Sequence, residues 1–511
     1  MATTVQSIIT CGSSGTIVDI QCHLSNNLPT IVIIGFANKA VDESRERIRG
    51  AFATSRIMLP RKRITVNLAP ADLPKADSGF DLAIAIAIML ASGQISSSVT
   101  SKQAFIGELG LDGSLRAVRG IIGKILVGRA KGITEFFIPA GNLGQAQLIP
   151  DITLLPVQSL EQLYNHFSLG LAIRAVKTGS GRYQTQQPAT SKTGAQLSEV
   201  VGQKQAKRAL QIAAAGGHNV FFSGPPGTGK SMLAKALPSV LPPLSREEIL
   251  EVTHLHSLAS QDYEKIIVER PFRAPHHSAS YVAVLGGGNK LRPGEISLAH
   301  RGVLFFDEMP EFSRETLEAL RQPLEDRLIS VARVNEIANY PANFIFVGTA
   351  NPCPCGYFDS PNSCRCKASE ITRYGNRLSG PILDRIDLYT NVHKIDHDKL
   401  LTQTADPEAD TAVRDRIRRA RLRQAGRYGN TSKLNTDMTN ADIKQCGQLE
   451  PESIKLLNEA APSIELSARA YMRSITVART IADLEASATI MPAHISEAIK
   501  YRPKPAAKDQ R

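Results

Sequence analysis

Long apolar runs are what this 511-residue chain most plainly lacks. A membrane-crossing helix needs roughly 18 or more consecutive apolar residues. The longest candidate, Leu82–Leu90 (LAIAIAIML), falls well short and reads as a buried core segment. The N-terminal MATTVQSIIT has no basic stretch followed by an apolar one, so no secretory signal is expected. Cysteine is scarce as well. There are seven, and four crowd into residues 353–366, which is not the spacing of a secreted disulfide framework. These absences argue against membrane-spanning and disulfide-stapled classes and make the cytoplasm the expected location. The balance of charge is uneven: 60 Lys and Arg against 48 Asp and Glu leave a net +12. That favours a polyanionic partner without naming one.

The length predicts roughly two to four domains. Residues 1–173 alternate β-like runs (Thr30–Ile34, Arg63–Asn67, Glu135–Pro139) with helical stretches, an α/β pattern. Residues 174–197 lose that periodicity, fill with Gly, Ser, Thr and Gln, and read as a flexible linker. A second α/β module follows over 198–399, a helical region over 400–502, and a basic, proline-containing tail over 503–511 that is expected to be disordered.

The second module opens on a phosphate-binding signature. Gly224-Pro225-Pro226-Gly227-Thr228-Gly229-Lys230-Ser231 fits G-x-x-x-x-G-K-[ST], between the apolar run Asn219–Ser223 and the helix-like Met232–Leu237. Glycines let backbone N–H groups curl around phosphates at a helix N-terminus. Lys230 would neutralise the β and γ phosphates of ATP, and the Ser231 hydroxyl would ligate Mg²⁺. A second apolar run, Gly302–Phe306, ends in Asp307 and Glu308, suited to hold Mg²⁺ through water and to polarise the attacking water respectively. A third, Asn343–Ala350, ends at Asn351, whose amide could orient that water, the role called sensor 1. Arg385, within GPILDRID, and Arg469, within LSARA, read alone as surface ion-pair partners; beside these motifs they complete the phosphate site.

Other clusters carry open readings. Cys353, Cys355, Cys364 and Cys366 form C-x-C-x₈-C-x-C, which suits one tetrahedral Zn²⁺ or four unmetallated thiols, the one-residue spacing being tighter than the usual template. His276 and His277 are left without a role. Gly286–Gly294 is a glycine-rich excursion, and Arg327–Arg333 with Asn335–Tyr340 predicts a β-hairpin. Lys290, Arg292 and Arg333 either contact DNA phosphates or are solvated loop charges. The arginine-rich Arg414–Arg427 either binds nucleic acid or pairs with acids of an adjoining subunit.

Seven segments together, VGQKQAKRAL (201–210), GPPGTGKS, RPFRAPHHS (270–278), GEISLAHRGVLFFDE (294–308), NPCPCG (351–356), GPILDRIDL (380–388) and VARTIADL (477–484), resemble the ComM/YifB competence family of magnesium-chelatase-like AAA+ ATPases. Residues 28–52 and 64–94 resemble the first domain of that family, and the likeness spans nearly all of residues 1–502. It implies an αβα P-loop core with a C-terminal helical lid, preceded by an α+β domain similar to the Lon protease domain (ribosomal S5 domain 2-like). It also implies ATP and Mg²⁺ as cofactors and a ring, usually a hexamer, with ATP between neighbours. Arg385 would then be the arginine finger reaching the next subunit's γ-phosphate, and Arg469 the sensor 2 residue. Single-stranded or branched DNA would be the partner of a helicase or branch-migration motor serving transformation and recombination. The first domain departs from Lon. Lys75–Phe80 lacks the Gly-Pro-Ser-Ala-Gly run that carries the Lon nucleophile, and the Lon lysine aligns near Ile122, leaving Ser78 and Lys124 off the dyad positions. The alternatives are a chelatase-type chaperone that remodels a partner protein, against which the N-terminal domain argues, and an ATP-dependent protease, against which the missing dyad argues.

Overall fold

The computed structural model describes residues 3–11, 14–35, 40–70, 78–95, 99–179, 195–260, 262–288, 291–333, 336–358, 363–395 and 406–503. The N-terminal region carries two four-stranded sheets. One runs Thr3–Cys11, Ser14–Ser25, Arg63–Ala69, Thr30–Ile34; the other runs Val176–Thr178, Ile152–Val157, Glu135–Pro139, Gln103–Phe105. The helix Asp81–Ala91, which contains the apolar LAIAIAIML run, is buried from Asp81 to Met89. An apolar stretch with no polar face has to be enclosed. Its one charged residue, Asp81, is held by Ser44 Oγ at 2.6 Å and Arg47 Nε at 2.7 Å. Val176–Thr178, within the stretch read as linker, pairs antiparallel with Ile152–Leu154 as an edge strand. The rest of that stretch, residues 180–194, lies outside the described residues, as do residues 504–511 of the tail.

The second module is a five-stranded, all-parallel sheet ordered Phe272–Arg273, Val303–Phe306, Ile345–Ala350, Val220–Ser223, Leu388–Asn391. Its central strands are continuous apolar runs because helices cover both faces. The three runs that carry the phosphate-site motifs lie side by side, so their C-terminal ends meet along one rim, where ligands of open α/β sheets bind.

The C-terminal helices close over this layer. Helix Pro407–Tyr428 packs on helix Lys204–Gly216, with Arg421 Nε and Nη2 donating to the Ala214 carbonyl at 2.9 and 2.7 Å. Arg423 donates to the Asp483 carbonyl at 2.9 Å, and Arg427 pairs with the Asp483 carboxylate. Three residues of the arginine-rich stretch are thus internal braces. Helix Ala468–Leu484 is buried from Ser474 onward and shares one hydrophobic core with the sheet, through Val477, Ile481, Phe222 and Leu237 among others.

Helix Arg246–Ala259 ties the N-terminal region to the parallel-sheet module. Its Ile249 and Val252 pack with Ile121, Ile122 and Ile125. Arg119 Nη1 donates to the Ser260 carbonyl at 2.6 Å, and Arg246 Nε to the Leu148 carbonyl at 3.0 Å. Ile122, close to where a Lon-type lysine is expected, therefore lies beneath the helix Arg246–Ala259. Among the described residues no helix is long and apolar enough to cross a membrane.

Candidate active site: a phosphate loop and a separate arginine pair

The strand Val220–Ser223 runs into the loop Gly224–Gly229 and then into the helix Lys230–Val240. Gly227 (φ +75°) and Gly229 (φ +88°) take left-handed conformations that glycine adopts without steric cost. A Cβ on Gly224 would meet the Val392 carbonyl oxygen at 2.2 Å, so only glycine fits there. Gln203 straps the loop: its Nε2 donates to the His393 carbonyl at 2.6 Å and approaches the Thr228 carbonyl at 3.4 Å.

Lys230 is buried at the centre of this loop. Its Nζ donates to the Gly224 and Pro225 carbonyls at 2.6 and 2.8 Å and to Asn351 Oδ1 at 3.1 Å. Burial pushes its pKa below the ordinary lysine value, while the charges of Asp307 and Glu308 act against that shift. Ser231 Oγ donates to Asp307 Oδ2 at 2.9 Å. Lys230, Ser231, Asp307 and Asn351, with Glu308 beside Asp307, are therefore brought together at one end of the sheet.

Thr349 is the residue that sequence reasoning missed. It is fully buried, and its hydroxyl donates to Asp307 Oδ1 at 2.7 Å while accepting from the Glu308 backbone N–H at 2.9 Å. Glu308 sits at φ +51°, uncommon for a residue with a Cβ. Strained backbone at an active site persists where surrounding bonds over-determine it, and Thr349 supplies one. The available signal was a hydroxyl inside an otherwise apolar, wholly buried strand.

Arg385 and Arg469 are placed elsewhere. Both pair with Glu325: Arg385 through Nη2, and Arg469 through Nη2 to Oε1 at 2.9 Å. Arg385 Nη1 also donates to the Pro381 carbonyl at 2.6 Å, and its Nε is buried with no partner. The hydrogen bond from Arg385, and the charges of both arginines, hold the Glu325 carboxyl below the usual range. Neither arginine is bonded to Lys230, Ser231, Asp307, Glu308 or Asn351. A cleft of about 860 Å³ runs beside the pair, lined by Glu325, Arg327, Asp387, Arg469 and Arg473 and by no residue of the phosphate loop.

The four cysteines come together. Their sulfurs all lie within 4.8 Å of one another, at 3.3 Å (Cys353–Cys355), 3.5 Å (Cys355–Cys364) and 3.7 Å (Cys353–Cys364). Backbone N–H groups of Tyr357 and Arg365 aimed at Cys355 bring its thiol pKa down to about 6. The predicted hairpin is present as Leu328–Arg333 paired with Glu336–Pro341. Gly286–Gly287 pairs with Arg292–Pro293, and the two hairpins touch where Tyr340 donates to the Leu291 carbonyl. Arg292 is exposed; Lys290 and the Arg333 side chain lie outside the described residues. His276 Nδ1 is 2.8 Å from Ser278 Oγ, a local turn contact.

Residues 196–400 match the family described as magnesium chelatase, subunit ChlI, and residues 407–502 its C-terminal counterpart. Over 503 residues, 98% of this chain and 97% of the relative, the sequence is 41% identical to competence protein ComM of Haemophilus influenzae. The chain belongs to the ComM/YifB family. YifB of Salmonella typhimurium is 40% identical over 95% of this chain and 94% of its own length. The family is magnesium-chelatase-like and AAA+ in type, and the fold is the P-loop αβα core with a helical C-terminal region. The magnesium-chelatase 38 kDa subunit of Cereibacter sphaeroides is 27% identical, over 30% of this chain and 52% of its own length. Residues 20–142 match a further family described as subunit ChlI of Mg-chelatase. The N-terminal domain alone therefore does not set this family apart from a chelatase, but full-length coverage by ComM and YifB does.

Proposed function

We propose that this chain is an ATP hydrolase that works as a ring, usually of six copies, and uses ATP turnover to move on single-stranded or branched DNA in the cytoplasm. The Haemophilus relative is named a competence protein, and on this reading the activity serves DNA uptake and the recombination that follows.

ATP and Mg²⁺ fit the residues present. Lys230 is a buried cation ringed by loop carbonyls, and Ser231 with Asp307 offers a hydroxyl and a carboxylate 2.9 Å apart, hard oxygen donors of the type Mg²⁺ takes. Lys230 would hold the β and γ phosphates, and Ser231 and Asp307 the metal. Bound there, Mg²⁺ supplies neutralisation of charge building on the phosphate oxygens. Glu308 polarises the attacking water, and the Asn351 amide orients it. Thr349 keeps both acids in place by bonding Asp307 and the Glu308 backbone together.

The observation that carries the reading is the split between this cluster and the Glu325-bound arginines. Among the described residues, none of those bonded within this cluster carries a guanidinium. A neighbouring copy presenting Arg385 and Arg469 would complete the site, and arginine fingers are worth about 10³–10⁵ in rate. The joined hairpins, with Arg292 exposed, are suited to sequence-independent phosphate contact.

A protease reading finds little support: the helix Ile121–Ala130 is packed under the ATPase, and Lys124 Nζ donates to the Ile8 carbonyl at 3.1 Å. The Ser78 side chain lies outside the described residues. The motor reading is tested by ATPase rate with and without single-stranded or forked DNA at low salt, and by branch migration with a Glu308→Gln control. Stimulation by DNA and loss of both activities in the control are expected. Equal rates with and without DNA would contradict the motor and leave a chelatase-type remodeller of proteins as the better reading.

A further inference from the structure

We propose that Cys353, Cys355, Cys364 and Cys366 hold one structural Zn²⁺, and that this metal clip fixes the wall of the phosphate loop. The clip itself rests on the cysteines alone; its effect on nucleotide rests on the ATP-binding reading.

Geometry favours a single tetrahedral ion. With Zn–S near 2.3 Å, the edge of a ZnS₄ tetrahedron is about 3.8 Å. The recorded sulfur separations of 3.3, 3.5 and 3.7 Å lie close to that edge, and all four sulfurs fall within 4.8 Å of one another. They are far longer than a disulfide bond of about 2.05 Å. They are also too close together to reach the separate irons of a multinuclear cluster. Four soft thiolates with no oxygen or nitrogen ligand select zinc among the common divalent ions. The sulfurs are also served from outside, as metal-bound thiolates are: the Phe358 N–H points at Cys353 Sγ at 3.3 Å.

The position of the clip connects it to the nucleotide site. Cys353 is fully buried and lies two residues after Asn351, the amide bonded to Lys230. Between the two cysteine pairs, Gly356 turns at φ +84°. A Cβ there would lie 2.6 Å from Pro226 Cδ and 3.1 Å from Pro226 Cγ, so the knuckle backbone abuts the phosphate loop directly. Tyr374, beyond the second pair, is hydrogen-bonded to the Asn351 backbone. The segment that supplies the Asn351 amide is thus pinned on both sides of the metal. Thiol ligands that bind metal only in the folded arrangement convert binding free energy into local order. Zinc at this position would therefore hold Asn351 and Pro226 in register with Lys230.

The test uses the full chain purified under reducing conditions. Metal analysis should find one zinc per chain, and chain stripped by a chelator should take up one equivalent of added Zn²⁺. Replacing it with Co²⁺ should give the thiolate charge-transfer and d–d bands of a tetrahedral S₄ site. The double variant Cys353→Ser/Cys364→Ser should bind none. Because that variant could fail to fold, the affinity for a fluorescent ATP analogue is also compared between stripped and zinc-restored wild type. Restoration should tighten it about tenfold or more, in the range that shell residues around a metal contribute. Gly356→Ala should keep its zinc yet lose nucleotide affinity. A wild-type chain with no zinc that takes up none, whether its cysteines are free thiols, disulfides or iron-loaded, overturns the clip. Zinc that binds without altering nucleotide affinity overturns its link to the phosphate loop. Lys230→Ala separates this from the ATP reading: it should lose nucleotide and retain zinc.

Discussion

Lys230 Nζ donates to Asn351 Oδ1 across 3.1 Å, joining the phosphate loop to the end of a strand 121 residues away in sequence. In the proposed mechanism the pair would fix where the γ-phosphate and its attacking water meet. Asn351→Ala removes the amide but leaves the loop, the lysine and the metal ligands intact. The expected result is nucleotide affinity within a few-fold of wild type and kcat lowered about 10²–10³-fold, the cost of losing one aligned polar group at a transition state. Fluorescent-nucleotide titration beside steady-state ATPase checks it.

Thr349 is a positioning residue, because it acts through Asp307 and Glu308. Thr349→Val preserves shape and deletes both bonds. Turnover should fall about 10–100-fold, and the Mg²⁺ concentration giving half-maximal rate should rise. A Thr349→Ser variant should recover most of the loss. Recovery of the magnesium dependence with serine separates this role from simple packing.

Asp387 joins the sheet to the lid: its carboxylate accepts from Asn219 N–H at 3.0 Å and pairs with Arg473 at 2.7 Å. Burial pushes its carboxyl up, but Arg473, with His218 beside it, overrides that and holds it well below the ordinary range. A depressed folded-state pKa contributes stability that is fully present above the unfolded value of about 3.9 and is lost as pH falls through the folded one. Asp387→Asn should cost about 3–5 kcal/mol near neutrality, because Arg473 is left without its carboxylate. The gap between variant and wild type in urea unfolding should narrow as the pH drops below about 4.

If the exposed hairpin arginine meets DNA phosphates, Arg292→Ala should weaken DNA stimulation of the ATPase for all sequences alike. The slope of log affinity against log salt should shrink by about one unit. Basal ATPase should stay near wild type, since Arg292 lies outside the nucleotide site. An unchanged slope would remove Arg292 from the DNA path.

How far the site was legible follows from where its parts sit in the chain. Lys230, Ser231, Asp307 and Asn351 each end an apolar strand or begin the helix after it, so local pattern alone located them, and parallel pairing then brought them together. The burial of Leu82–Met89 was equally plain, because a helix without a polar face has nowhere else to go. Glu325 was not legible. It is one acid on a short helix, and its partners lie 60 and 144 residues away, a pairing set by how the lid folds back. The edge strand Val176–Thr178 hid for a different reason: three residues of mixed polarity carry no alternation, and only the neighbouring Ile152–Val157 strand makes them a strand. Arg421, Arg423 and Arg427 read as nucleic-acid contacts or as partners of an adjoining subunit's acids because periodicity does not reveal which helix face meets the chain's own carbonyls and carboxylates.

The central claim is that each nucleotide site is finished by a guanidinium from another copy, and mixing two inactive chains tests it most directly. Lys230→Ala should not hold nucleotide productively, and Arg385→Ala should hold it without hydrolysis. Combined in equal amounts, they should regain a measurable fraction of ATPase, since an intact loop from one can face an intact Arg385 from the other. A mixture that stays as inactive as its components, or an Arg385→Ala chain that hydrolyses ATP at the full rate alone, would contradict the account.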